Sequence, residues 1–133
     1  MKFIIIAVCL FGAAFATSIE PTKHFLGGWK ILPVDDPTVV QLAAKGVECY
    51  NKNSNNIYYN KLIKIKKAAS EIVAGMLYEI KFLIGATDCV KSEPDASSCK
   101  VSPNAIPKLC TYHFWIKSWS GFEQITQVSC VPV

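Results

Sequence analysis

AASEIVAGMLYEI, residues 68–80, decides how the chain folds. Upstream of it, IYYNKLIKIKKAAS (57–70) mixes apolar residues and lysines at a period near two. Downstream, MLYEIKFLIGATDCV (76–90) is a second run rich in β-branched and aromatic residues, so both read as strands. Between them Glu71-Ile72-Val73-Ala74-Gly75 ends in glycine and reads as the five-residue bend of a hairpin. Apolar residues at a bend need burying, either by the protein itself or by a partner.

Before this hairpin, PVDDPTVVQLAAKGVECYNKNSNN (33–56) changes period. Asp36 is a natural N-cap, Pro37 fits the first helical position, and Val39, Ala43, Val47 and Tyr50 recur at helical spacing. The pattern predicts one amphipathic helix over 37–52, stopped by the Asn-Ser cluster at 51–56, whose residues favour turns and left-handed backbone. After the hairpin, KSEPDASSCKVSPNAIPK (91–108) has no periodicity and reads as a loop. LCTYHFWIKSW (109–119) and FEQITQVSCV (122–131) then form a second hairpin around Ser120-Gly121. One helix and four antiparallel strands give an α+β fold with the helix across one face of the sheet, and a short fifth strand is expected near Trp29–Ile31.

MKFIIIAVCLFGAAFA (1–16) has a lysine, an apolar run and a small-residue Ala14-Phe15-Ala16 site, the pattern of a secretory signal peptide cleaved after Ala16. No segment reaches the roughly 18 to 20 apolar residues of a membrane span, so the mature chain is expected to be secreted and extracellular. It reads as a single domain over 17–133, beginning with a mobile arm at 17–26. All fourteen basic residues are lysine and the formal net charge is +4. Without arginine, sequence-specific nucleic-acid binding is not expected. Setting the leader aside leaves Cys49, Cys89, Cys99, Cys110 and Cys130, an odd number. In an oxidising compartment the last four allow three pairings, of which the sequential one is preferred, and Cys49 is left as a free thiol or an intermolecular link.

The chain offers little to an enzyme. Its two histidines are His24 in the arm and His113 in a strand, and no H-x-x-x-H, C-x-x-C or glycine-rich phosphate loop occurs. Metal and nucleotide sites therefore lack ligands, and no cofactor is expected. Cys49 lies in the helix with no histidine near it in sequence and reads as inert. Binding is better supported, because the first bend, the tip Trp119-Ser120-Gly121 and the Gly27-Gly28 junction each mark a place where backbone or aromatic surface projects.

Taken in order, LGG before the helix, YNKNSNN at its end, EIVAG at the first hairpin, SW at the second and the four late cysteines resemble the secreted type 2 cystatins, inhibitors of papain-like cysteine proteases. The resemblance implies a sheet wrapped around one long helix and the pairs Cys89–Cys99 and Cys110–Cys130. It implies a wedge made of Gly27, Gly28, Glu71, Ile72, Val73, Ala74, Gly75, Ser118 and Trp119 that occludes the protease cleft reversibly and without a covalent bond. Phe25 and Leu26 then enter the non-primed subsites. It also points to Asn55 in Ser54-Asn55-Asn56 as a legumain-type site, where the residues themselves read as a helix-stop loop. A monomer is expected, with a strand-swapped or Cys49-linked dimer as the other forms.

Two positions depart from the family pattern: Glu71 stands where the family has glutamine, and Ser118 where it has proline. A carboxylate pushed into a cleft that excludes water must be paired or protonated, which predicts inhibition that strengthens toward acidic pH. Serine for proline loosens the second loop. The competing reading is a non-inhibitory, secreted binding or defence protein on the same scaffold. Lys61, Lys64, Lys66 and Lys67 read as a solvated face, with anionic polysaccharide, membrane or microbial surface as the partner under that competing reading.

Overall fold

The computed structural model describes residues 28–92 and 98–133. The expected signal peptide and arm, with the candidate site residues Phe25, Leu26 and Gly27, lie outside them. The chain runs β1 (Lys30–Leu32), α1 (Pro37–Asn53), β2 (Tyr58–Val73), β3 (Gly75–Val90), β4 (Lys108–Lys117) and β5 (Phe122–Pro132), with a short 3-10 turn at Ser118–Ser120 before β5. The strands form one antiparallel sheet in the order β1-β2-β3-β4-β5, so every neighbour in space is also the next strand in sequence. The expected fifth strand is present, one residue later than its sequence placement.

The helix starts where its cap predicts. Asp36 Oδ1 accepts from the backbone N–H of Thr38 at 2.8 Å and of Val39 at 3.4 Å, satisfying donors that the first turn leaves open. Its apolar stripe, Val39, Leu42, Ala43 and Val47, is buried against Ala68, Ile80, Phe82, Ile84, Tyr112, Phe114 and Ile125 from the sheet. At Gly46 the helix lies close on the sheet: a Cβ there would be 2.8 Å from Phe82 Cζ.

The helix end differs from expectation. Asn51 and Asn53 are helical, and the C-cap Ser54 is extended (φ −85°, ψ 158°) where a left-handed asparagine was expected. The reason is tertiary. Asn51 Nδ2 donates to the carbonyls of Val47 (3.2 Å) and Asn60 (2.9 Å), while the Asn60 N–H donates to Asn51 Oδ1 at 2.8 Å. A buried amide thus ties the last helical turn to the start of β2.

The disulfides Cys89–Cys99 and Cys110–Cys130 are both formed. Cys49, expected as a free thiol or an intermolecular link, is disulfide-bonded in the uncleaved chain.

Gly46→Val tests the helix–sheet contact. Phe82 is fully buried and has nowhere to retreat, so overpacking should cost about 1–3 kcal/mol, read as a lower denaturation midpoint at unchanged m-value.

Candidate functional site

The first hairpin is tighter than its sequence suggests. β2 continues through Glu71 and Ile72 to Val73, which pairs with Gly75, so the expected five-residue bend reduces to a turn at Ala74. Strand pairing persists because Glu71 faces Leu77 and Ile72 faces Met76 in continuous register. Gly75 has φ 103°, a backbone region that favours glycine, and a Cβ there would stand 2.5 Å from the Ile116 carbonyl oxygen and 2.9 Å from Lys117 Cγ. The turn is thereby packed against the end of β4.

Trp115, which sequence reasoning passed over, fixes that turn from below. Its indole Nε1–H donates to the Ala74 carbonyl at 2.8 Å. Phe122 meets the same ring edge-on at 5.5 Å, and Lys117 Nζ lies 4.5 Å from its centre and 4.9 Å from that of Phe122. The available signal was chemical: an indole in a strand needs an acceptor for its N–H, and the bend offers free carbonyls.

The second hairpin rises beside the first. Lys117 pairs with Phe122, Ser118–Ser120 form the 3-10 turn, and Gly121 closes it at φ 69° with its N–H on the Ser118 carbonyl at 3.4 Å. Ser118 is therefore part of a closed turn, with Ser120 Oγ also on the Lys117 carbonyl at 3.4 Å. At the two tips Ile72 is 78% exposed and Trp119 is 71% exposed, unusual for residues of this size. Gly28 (φ 66°) precedes Trp29 and β1, whose Lys30 pairs with Ser70, so the chain enters the sheet at the same end as both hairpins. Of the expected wedge residues, the structure brings Gly28, Ile72, Val73, Ala74, Gly75, Ser118 and Trp119 to one edge.

Glu71 is placed differently. It is 7% exposed and lies behind the tip, in a ladder row with Leu77 and Trp115. Its burial is part of folding and does not await a partner. Asn55 is at the other end of β2, exposed, next to Ser54, whose carbonyl and Oγ both accept from Lys91 Nζ at 2.8 and 2.9 Å. Burial lowers the Lys91 pKa. Burial first, and then Tyr50, push the Tyr112 hydroxyl up. Neither group is at the hairpin edge. Among the described residues no cluster of His, Cys, Asp and Glu is arranged to hold a metal, and no helix is long and apolar enough to cross a membrane.

A family model, the cystatin domain, matches residues 27–119. The chain is 35% identical over 107 residues to L-cystatin of Tachypleus tridentatus, covering 78% of this chain and 80% of that protein. The chain belongs to the cystatin family. Cystatins are protease inhibitors and not enzymes. Cystatin-C of Rattus norvegicus is 26% identical over 133 residues, covering 98% of this chain and 95% of its own. The crystal structure of Al-CPI superposes with a TM-score of 0.76 at 33% identity, covering 80% of this chain and all of that one. The cystatin matches agree with the helix-on-sheet architecture.

Trp115→Phe keeps the ring and removes its N–H. The loss should destabilise the protein by about 1 kcal/mol and speed amide hydrogen exchange at Gly75 and Met76 more than in the core strands. Gly75→Ala should cost more, about 1–3 kcal/mol, because both backbone angle and space are wrong for a side chain.

Proposed function

We propose that this cystatin is a reversible, non-covalent inhibitor of papain-like cysteine proteases, exported after removal of residues 1–16, that plugs the active-site cleft with its hairpin edge. The observation that supports this most is exposure beside well-held turns: Ile72, near the end of β2, and Trp119, in the 3-10 turn, stand in water next to turns that Gly75, Trp115 and Gly121 hold in place. A preorganised loop loses little ordering entropy on binding, which is where tight inhibitors gain affinity. Burying Trp119 contributes at most about 4–6 kcal/mol, from roughly 150–250 Å² at about 25 cal/mol per Å². The arm with Phe25, Leu26 and Gly27 adds contacts in the non-primed subsites and must be ordered to do so. Asn55 is exposed and is proposed as a second, legumain-type contact at the opposite end of β2.

Glu71 bears on the competing, non-inhibitory reading. A carboxylate that first loses water in the cleft would oppose binding at neutral pH. With the side chain already packed behind the tip, that opposition is small, and Glu71 in place of glutamine is compatible with inhibition.

Titration of papain with the purified protein tests the proposal. The expected result is stoichiometric, reversible loss of activity, weakened at least about tenfold by Trp119→Ala, as befits a buried aromatic anchor. Glu71→Gln should shift the inhibition constant by less than about threefold at pH 7, since an interaction already settled in the free protein largely cancels on binding. Absence of inhibition in the micromolar range favours the non-inhibitory reading, and a large gain from Glu71→Gln returns the carboxylate to the cleft.

A further inference from the structure

The lysines of β2 are not scattered as alternation would leave them. In a regular strand Lys61 and Lys67 would face one way and Lys64 the other, since alternate residues share a face. Two bulges intervene, with register shifts between Leu62 and Lys64 and between Ile65 and Lys67. Their effect on the ladder is to place Lys61 opposite Gly85, Lys64 opposite Leu83 and Lys67 opposite Lys81. The even-numbered partners Ile80, Phe82 and Ile84 face the helix, so Lys81, Leu83 and Gly85 face away from it, and all three lysines with them. Each bulge gives up regular ladder pairing. In return Leu62 and Ile65 join the core, and the cations are gathered on the outer face.

Among the described residues no carboxylate forms an ion pair with Lys64, Lys66, Lys67 or Lys81. Lys67 and Lys81 are directly opposite, a like-charge pair that destabilises an antiparallel ladder. Their row continues across β4 and β5 with Thr111 and Ser129, and Lys81 Nζ reaches Thr111 Oγ1 at 3.4 Å. Lys61 Nζ is held by the Cys99 carbonyl at 2.8 Å. Lys64, Lys66 and Lys67 are exposed. Glu79, in the neighbouring row, gives its carboxylate to His113 Nε2 at 3.0 Å. Glu71 lies one row further and is buried, and Lys45 and Glu123 pair elsewhere.

We propose that the outer face of β2 and β3, centred on Lys64, Lys67 and Lys81 with Thr111 and Ser129, binds a linear sulfated polysaccharide. Lys64 and Lys67 stand opposite Leu83 and Lys81, two residues apart on β3, a step of about 6.7 Å, and with Lys81 across the ladder they make an extended set of cations that suits repeated charges along a polymer better than one isolated anion. No aromatic residue is the ladder partner of any of these lysines on β3, whereas single-stranded nucleic acid is held by base stacking on aromatic rings. The hydroxyls of the same row give hydrogen-bonding groups to sulfate and sugar. The face is distinct from the hairpin edge, so the two ligands do not compete for residues.

The test is retention on immobilised heparin, with phosphatidylserine-containing vesicles and single-stranded DNA as comparison probes. The intact protein should bind heparin in preference to both, with affinity falling as salt rises. Lys67→Gln with Lys81→Gln should weaken heparin binding about tenfold, as expected for two surface cations acting on a polyanion, and should leave papain inhibition as it was. Lys30→Gln with Lys52→Gln removes the same charge elsewhere and should change retention little. Equal losses from the two double variants would reduce the effect to net charge and overturn the proposal. So would unchanged retention of the Lys67/Lys81 variant, or preference for vesicles or DNA over heparin. Melting temperatures of both variants accompany the measurement: relief of the opposed pair should hold or raise that of the Lys67/Lys81 variant, so that lost binding reflects lost charge.

Discussion

The register of β3 against β4 is the constraint on which the rest depends. In the core it sets Ile80 against Tyr112 and Phe82 against Cys110, beneath the helix. A few residues along, the same register sets Leu77 against Trp115 and Met76 against Ile116, which brings Gly75 under the Ile116 carbonyl and Ala74 within reach of the indole N–H. A slip of one residue would turn every side chain to the wrong face and dissolve both the core and the edge together. The two tips are therefore positioned by the same packing that makes the protein fold.

This explains how an exposed edge is kept rigid in a small protein. Loops that bind are ordinarily mobile, and their ordering opposes association. Here the first turn is reduced to the shortest connection that two long strands allow, and the second is closed by Gly121. The Cys110–Cys130 disulfide joins β4 to β5 on the core side, well away from the tips. Stiffness at the edge comes from the sheet and from one tryptophan.

Much of this was legible in sequence. Asp36-Pro37 announces the helix, the apolar bend with Gly75 announces the hairpin, and the late cysteines pair in order. What escaped shares a cause: each missed feature depends on a partner distant in the chain. Asn51 stays helical because Asn60 receives its amide, and Trp115 matters because Ala74 lies across the sheet. The bulges belong to the same class. Nothing local in KLIKIKK marks where alternation breaks; the break follows from Leu62 and Ile65 both meeting the core opposite Ile84 and Phe82. Glu71 was read as a tip residue because the bend was drawn too wide.

The resulting molecule has two unlike surfaces: an apolar edge built from turns and a cationic face built from bulges. The edge is the central claim, and a crystal structure of the protein bound to papain tests it most directly. The account predicts Val73–Gly75 and Trp119 inside the cleft, with the Trp115 indole N–H still on the Ala74 carbonyl and the turn unchanged from the free protein. A complex in which the turn has refolded, or in which the protease contacts the molecule away from both hairpin tips, would contradict it.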